Sequence, residues 1–404
     1  MIKLLALICL LKSAFQLNIQ PLFQDCEHTK NSDSNYKNIV VDIDCDGYDS
    51  NRTDQFPSRL ISIHYQYRIK QLKISGFNLS KIPEKIFDRL LIEKLDLQQN
   101  NIQSISANTF QGIIGLEDLN LGENFLAKIP NQAFAPLDTL STLILSKNRL
   151  SLIEPSGFSK LNSLKTLDLS YNQLTELNNA IFKPFEFTLE TLFLSGNRLQ
   201  ILPDLNVMQE LYYIDVSYNI LSDLTDYGVP QKTKALILSN NRLEKIRKET
   251  FSMNYNMVFL DLTNNMISDI EQKSFENMIN LRILRLGFNN LNFFPDLRHL
   301  VNLAELDLSN QNLRYLSEFA LDRDDLPIST ISRLDLSNNK IDSFDKKAFC
   351  SRTGPIQIEY LILDNNPMQK LDPCVFNQLK SSRLTIFFNS NNSSGMNNCD
   401  LIVT

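Results

Sequence analysis

The chain has 404 residues, of which 43% are hydrophobic and 21% are charged, and its formal net charge is -6. That length and apolar fraction suffice for one elongated domain or for two or three compact ones. The acidic balance argues against a nucleic-acid binder and against a protein of anionic membranes, because both need a basic surface.

The N-terminal stretch MIKLLALICLLKSAFQ has one early lysine, an apolar run from Leu4 to Leu11, and then small and polar residues. This order is typical of a secretory signal peptide. The apolar run is much shorter than the roughly 20 residues that span a bilayer. We therefore expect residues 1–15 to be a signal peptide, with a buried N-terminal strand as the alternative.

Cysteines and glycosylation sequons both lie near the ends of the chain. Five cysteines follow the predicted signal peptide, and none of them lies between Cys45 and Cys350. Sequons occur at Asn51, Asn78, Asn391 and Asn392. Both features favour an oxidising, extracellular compartment. No later apolar run approaches membrane-spanning length, and the tail lacks the hydrophobic stretch of a GPI signal, so we expect a secreted, soluble protein.

Residues 69–380 repeat one pattern. The copy LKTLDLSYNQL, residues 164–174, has leucine at its first, fourth, sixth and eleventh positions and asparagine at its ninth. We number positions within each copy in this way. Thirteen copies begin at residues 69, 92, 116, 140, 164, 189, 211, 233, 257, 281, 303, 331 and 358. Each contains a short alternating segment that predicts a strand, and one such strand cannot bury its apolar side alone, so the coils must stack in parallel around one core.

The motif LxxLxLxxNxL resembles that of the leucine-rich repeat family. The resemblance implies an α/β solenoid curved like a horseshoe, with a parallel concave sheet of about 13 strands and a convex side of irregular, 3-10 and short helical segments. The ninth-position asparagines can bond to unpaired backbone in the turns, although Phe77 and Gln311 interrupt their column.

A second column lies ten residues after the asparagine position. We interpret it as a core spine, not as a ligand site. In the three repeats of 22 residues it carries Val207, Val229 and His299, where we expect the segment to be too tight for a buried phenylalanine. The remaining members are Phe87, Phe110, Phe134, Phe158, Phe182, Phe251, Phe275, Leu321, Phe349 and Phe376.

The ends of a solenoid expose its core and need covers. Residues 16–68 resemble the N-terminal cap of extracellular leucine-rich repeat proteins, and we predict a disulfide between Cys26 and Cys45 in it. Residues 381–404 are expected to form a C-terminal cap or tail. The odd number of cysteines leaves the pairing there open; we favour Cys350 with Cys374, which leaves Cys399 unpaired.

No pattern of catalytic residues is present. The three histidines lie in no cluster with metal-ligand spacing and beside no nucleophile. The fifth position often carries aspartate, but carboxylates on alternate strands are about 10 Å apart. Where two such aspartates adjoin, Arg285 and Arg333 would compete with a cation, so we interpret the aspartates as solvated. We predict no enzyme activity, no cofactor and no metal site.

Positions three, five and seven should point outward on the concave face. Over residues 189–291 these positions become apolar and aromatic, with charged residues between them. Such a surface is typical of a protein-binding site, whereas isolated exposed apolar residues are ordinary. We expect one contiguous partner-binding patch formed by Phe193, Tyr213, Ile237, Phe259 and Ile283 together with Asp215, Asp261 and Arg285.

These features predict a secreted binding protein that recognises a protein or glycoprotein partner through its concave face. Resemblance to Toll-type ectodomains implies innate immune recognition or cell-surface adhesion. The alternatives are a structural matrix or adhesion component that self-associates as a homodimer, and a protein inhibitor of an enzyme. We expect no nucleic-acid partner and no membrane span.

Overall fold

The computed structural model describes residues 26–32, 39–46, 67–224, 228–318, 320–322, 329–350, 352, 356–368, 379, 384–388 and 401–403. The chain divides into two compact units, residues 1–198 and 199–404. Each unit is a solenoid of parallel strands with very little helix. Within the described ranges no helix is long and apolar enough to cross a membrane.

The first unit begins with an antiparallel hairpin of β1 (Cys26–Ser32) and β2 (Ile39–Asp46). Strand β2 pairs in parallel with the first of six repeat strands, each of which pairs with the next. Two short strands pair separately, and a 3-10 helix covers Asn179–Phe185. In chain order the strands are β3 (Tyr67–Ser75), β4 (Leu91–Asp96), β5 (Asp118–Asn120), β6 (Lys128–Ile129), β7 (Thr142–Ile144), β8 (Leu152–Ile153), β9 (Thr166–Asp168) and β10 (Thr191–Phe193); β6 and β8 are the separate pair.

The second unit has seven repeat strands in one parallel series. Short side strands lie between some of them. In chain order all of these strands are β11 (Tyr213–Asp215), β12 (Ala235–Ile237), β13 (Lys245–Ile246), β14 (Phe259–Asp261), β15 (Asp269–Ile270), β16 (Ile283–Arg285), β17 (Glu305–Asp307), β18 (Tyr315–Leu316), β19 (Ser329–Asp335), β20 (Ser343–Phe344) and β21 (Ile356–Ile362). The repeat strands among them are β11, β12, β14, β16, β17, β19 and β21. Strands β13 and β15 form one side pair, and β18 and β20 form another. Strand β22 (Leu384–Phe387) extends the main series in parallel, and β23 (Leu401–Val403) joins it antiparallel.

Six repeat strands in the first unit and seven in the second account for the thirteen sequence copies, so the predicted fold is confirmed. The two-residue period of a strand explains the burial. Leu167 and Leu169, at positions four and six of one copy, are fully buried, while Thr166 and Asp168 are half-buried on the opposite face.

The phenylalanine column forms the predicted core spine. Phe87, Phe110, Phe134 and Phe158 are fully buried, and consecutive ring centroids lie 6.3, 5.8 and 6.0 Å apart. In the second unit, Phe251 and Phe275 stack at 6.3 Å. Phe376 lies outside the described residues.

The three shortened repeats fill their cores differently. Val207 is 51% exposed, and Leu205 and Met208 on either side are buried instead. Val229, by contrast, is buried, which agrees with the expectation that the tighter segment has room only for a residue smaller than phenylalanine. His299 is half-buried.

The ninth-position asparagines connect each coil to the preceding one. Asn148, for example, is buried; its Nδ2 donates to the carbonyls of Leu121 and Leu145 at 2.9 and 3.0 Å, and its Oδ1 accepts from the Leu126 amide at 2.9 Å. We call the buried side chains at this position the amide ladder: Asn100, Asn124, Asn148, Asn172, Asn197, Asn219, Asn241, Asn265, Asn289, Gln311, Asn339 and Asn366.

Gln311 does not interrupt this ladder, contrary to the sequence-based expectation. Its Oε1 accepts from the Leu291 amide at 3.0 Å, and its Nε2 donates to the Leu286 carbonyl. The longer glutamine side chain keeps both amide functions of the asparagine it replaces.

The eighth position is a feature that the leucine pattern did not reveal. In every copy it has positive φ, from +52° at Tyr171 to +71° at Gly76. Glycine and asparagine tolerate this conformation best, and they occupy seven of the thirteen positions: Gly76, Gly196, Asn240, Asn264, Asn310, Asn338 and Asn365. At Gly196 a Cβ would also lie 2.6 Å from the Tyr171 ring. The turn after each strand is therefore fixed by backbone conformation as well as by the ladder.

The hairpin at the start of the first unit supports the proposed N-terminal cap. Its register places Cys26 directly opposite Cys45. Opposed residues of antiparallel strands have Cα atoms about 4.5–5.5 Å apart, and disulfides bridge about 4.4–6.8 Å. We expect peptide mapping without reduction to recover these two cysteines in one linked peptide that separates on reduction. Linkage of either cysteine to Cys399 would contradict the pairing.

The second predicted disulfide stays a prediction. Cys350 is half-buried, and burial raises the pKa of its thiol, while Cys374 and Cys399 lie outside the described residues. Among the sequons, Asn78 is exposed, as an acceptor must be. Asn51, Asn391 and Asn392 lie outside the described residues.

Candidate functional site

The exposed face of the main sheet in the second unit, which we call the strand face, carries two rows of side chains. Register pairing aligns the third positions of β11, β12, β14 and β16, which gives the apolar row Tyr213, Ala235, Phe259 and Ile283. It aligns the fifth positions of these strands and β17, which gives a second row with four charged members, Asp215, Asp261, Arg285 and Asp307, and the apolar Ile237 between the first two; we call it the charged row.

The apolar row is continuous and accessible. Its four side chains are half-buried, so each shows part of its surface to solvent. Because neighbouring strands are about 4.8 Å apart, three spacings make the row about 14 Å long. Glu305 follows Ile283 in register and ends it.

The structure places seven of the eight predicted patch residues together in the second unit. Phe193 is half-buried on the corresponding face of the first unit, in register with Asp168. The predicted patch therefore includes residues of both units. Four of its five apolar residues lie on one set of paired strands in the second unit: Tyr213, Ile237, Phe259 and Ile283.

Several seventh positions, which were expected to point outward, add little exposed surface to the strand face. Ser217, Ser239 and Ser309 are at most 8% exposed. Where position five is an aspartate, its carboxylate accepts a hydrogen bond from the residue two positions later and so covers part of that residue. Asp215 Oδ1, for instance, accepts from the amide and the hydroxyl of Ser217 at 2.9 and 2.6 Å.

The fifth-position aspartates are thus part of the turn, not merely solvated. Asp261 Oδ1 accepts from the Thr263 amide, and Asp307 Oδ1 accepts from the Ser309 amide, both at 2.9 Å. Only one carboxylate oxygen serves this role. Over the part of the chain that the structure describes, the Oδ2 atoms of Asp215, Asp261 and Asp307 have no hydrogen-bond or ion-pair partner.

Arg285 lies between two of these carboxylates in register, yet it is positioned over an aromatic ring. Its guanidinium carbon lies 5.2 Å from the Phe259 ring centroid, a cation–π contact. Among the described residues it forms no ion pair. Further along the sheet, Arg333 forms an ion pair with Asp335 at 3.1 Å, as expected of an arginine that competes with a cation for this aspartate.

Tyr213 is a neutral hydrogen-bonding group at the end of the apolar row. Burial and the neighbouring charge of Asp215 raise the pKa of its phenol. The hydroxyl therefore stays protonated at neutral pH and can donate a hydrogen bond to a partner.

The strand face of the first unit is different in chemistry. Its third positions are polar: Lys94 pairs with Asp118 at 2.7 Å, and Thr142 and Thr166 lie in register. It presents no comparable apolar row, so the second unit is the stronger candidate for binding.

Two exposed apolar features were missed by the reasoning from sequence. Tyr218 and Phe288, at the eighth position, are 58% and 55% exposed beside the strand face. Their place directly before a ladder asparagine was the sequence feature from which this exposure could have been predicted. The shortened repeat also exposes 84% of Phe293 at a groove of about 380 Å³, which Ile270 and Pro295 help to line.

Nothing in the described ranges groups three or more histidine, cysteine or carboxylate side chains around a metal position. The strand face presents apolar and charged side chains on strands that are hydrogen-bonded to neighbouring strands on both sides. Such a surface suits noncovalent recognition, because little conformational freedom is lost on binding.

Comparison with known proteins agrees with this picture. The family described as Leucine rich repeat matches residues 91–150, 138–199, 231–291 and 256–313. Osteomodulin from Rattus norvegicus is 29% identical over 197 residues, which cover 46% of this chain and 44% of osteomodulin. Lumican from Rattus norvegicus is 30% identical over 203 residues, covering 47% of this chain and 51% of lumican. The chain thus spans about half the length of the curated relatives it matches.

Solved structures show the same fold. The leucine-rich repeat domain of APL1B has a TM-score of 0.57 at 25% identity, covering 69% of this chain and 78% of that domain. The Toll–Spatzle complex has a TM-score of 0.56 at 20% identity, covering 79% of this chain and 52% of the matched chain, a likeness that shows the fold alone.

Proposed function

The chain is a leucine-rich repeat protein, and we propose that it is a secreted protein that recognises a protein or glycoprotein partner through the strand face of its second unit. The observation that carries the proposal is the in-register apolar row Tyr213, Ala235, Phe259 and Ile283. Aromatic residues aligned on rigid backbone are typical of the side chains that dominate binding energy at protein interfaces.

Secretion is supported by independent features of the chain. The N-terminal sequence is typical of a signal peptide, and the Asn78 sequon is exposed. The matched relatives osteomodulin and lumican are secreted proteins. No sequon lies within residues 211–307, the stretch that carries the apolar row.

We predict that the triple substitution Tyr213→Ala, Phe259→Ala and Ile283→Ala weakens partner binding by about 100-fold or more. Loss of about 1 kcal/mol or more at each central interface residue gives that magnitude. Partners captured from extracellular extract by the wild-type chain would be identified by mass spectrometry, and the dissociation constant of the purified partner then measured for each variant.

The matched control removes equally large exposed apolar side chains elsewhere in the same unit. Ile201 and Phe293 are 58% and 84% exposed, and the double variant Ile201→Ala, Phe293→Ala should bind as the wild type does. If the control variant loses binding while the triple variant retains it, the strand face of the second unit is not the binding surface.

Similarity to osteomodulin and lumican supports a second candidate, a matrix or adhesion component that self-associates through the same row. Sedimentation of the mature chain alone distinguishes the two, because a homodimer would form without a partner and would dissociate in the triple variant. A role in innate immunity remains a prediction from the family resemblance, and so does inhibition of an enzyme.

A further inference from the structure

The charged row restricts the kind of partner that the strand face can accept. It carries three aspartates and one arginine, and Glu305 adds a fourth carboxylate at the end of the apolar row. All of these side chains are partly or fully exposed. A partner that covers the apolar row must therefore approach several carboxylates within a few ångströms.

These carboxylates cannot neutralise one another, and the protein itself supplies little compensation. Each of Asp215, Asp261 and Asp307 uses Oδ1 for its own turn. Their Oδ2 atoms lack partners in the described part of the chain, and Arg285 is held over the Phe259 ring. Covering unpaired carboxylates with apolar groups would remove their hydration without any compensating interaction, so a partner has to bring positive charge.

Resting on the proposed function of the strand face, we propose that the partner is a protein segment with basic side chains along one edge and apolar side chains along the other. The basic side chains pair with Asp215, Asp261 and Asp307, while the apolar edge covers Tyr213, Phe259 and Ile283. Such pairing gives the interface its orientation and speeds encounter between the two proteins.

The geometry sets the spacing of the basic groups. The three aspartates lie on alternate strands, which places them about 10 Å apart. The two rows are two residues apart along each strand, or about 7 Å. Lysines at every seventh residue of a helix are about 10.5 Å apart, so an amphipathic helix with that period is a suitable probe.

The test uses two synthetic helical peptides of about 18 residues, each with one leucine stripe. One carries lysine at every seventh residue beside the stripe, and the other carries glutamate at the same positions. We expect the lysine peptide to bind the full chain at least about tenfold more tightly at an ionic strength of about 0.15 M. We expect the variant Asp215→Asn, Asp261→Asn, Asp307→Asn to lose this preference.

Asparagine is a conservative replacement at these positions. Asn120 occupies the fifth position of its own repeat, and its Oδ1 accepts from the Gly122 amide at 2.9 Å, as the aspartates do in theirs. The variant therefore keeps the turn hydrogen bonds and should fold as the wild type does, which circular dichroism and the thermal midpoint would verify.

The control for net charge is Glu244→Gln, Glu249→Gln, Glu318→Gln, which removes three exposed carboxylates away from the strand face of the same unit. It should keep the full preference for the lysine peptide. Equal or undetectable binding of both peptides by the wild type, an unchanged preference in the asparagine variant, or an equal loss in the glutamine control would each overturn the inference. The alanine variants of the apolar row test the proposed function separately, since they can abolish capture of the natural partner whatever the charged row does.

Discussion

Replacing Phe158 by alanine is expected to lower the free energy of unfolding by about 3–5 kcal/mol. Its side chain is fully buried, and its ring lies 6.0 Å from Phe134 and 6.2 Å from Phe185. Truncation would leave a cavity between coils that cannot close, because neighbouring coils are held at fixed spacing by the main sheet. Urea unfolding followed by circular dichroism measures the loss, since the chain has no tryptophan.

Phe187 provides a matched control in the same unit. It is the same residue type but is 59% exposed, so Phe187→Ala should change stability by less than about 0.5 kcal/mol. A comparable loss in both variants would mean that the phenylalanine column does not act as the core spine.

The second large effect is expected from the amide ladder: Asn172→Ala should cost about 3 kcal/mol or more. Asn172 Nδ2 donates to the carbonyls of Leu145 and Leu169, both at 3.0 Å, and Oδ1 accepts from the Leu150 amide at 2.9 Å. Alanine leaves these buried backbone groups without that partner, and each unsatisfied group costs about 1–3 kcal/mol. The same urea experiment measures the change.

Gln173, the next residue, is exposed, and Gln173→Ala should be nearly neutral. Asn172→Gln is more informative, because Gln311 shows that a glutamine can fill the ladder. We expect this variant to recover part of the stability that alanine loses. Equal stability of the alanine and glutamine variants would show that side-chain volume, not the paired amide, matters at this position.

Most of the fold was predictable because it repeats. A leucine at positions four and six faces the core in every copy, since a strand alternates its side chains. The same phase placed the phenylalanines and the ladder asparagines correctly. The error at Gln311 falls where one copy departs from the pattern, because the fit of a single side chain depends on the room its neighbours leave.

The candidate site was predictable only in outline. Tyr213, Ile237, Phe259 and Ile283 were placed on one face because their phase within the repeat is fixed. The phase could not show that Ser217 has little exposed surface, since this depends on the hydrogen bond from its hydroxyl to Asp215. Nor could it show that the positive φ of the eighth position exposes Tyr218 and Phe288.

By itself, the sequence determined the repeat, its strands, its buried columns and the residues available on the exposed face. Each of these follows from the local alternation of a strand and from a period that every copy shares. Only the tertiary structure decided how the exposed side chains are used: Arg285 lies over Phe259, and Oδ1 of each aspartate is bonded in its turn, while Oδ2 has no partner in the described part of the chain. The physical reason is that such contacts join different coils or a side chain to a turn, and their distances exist only once the coils are stacked.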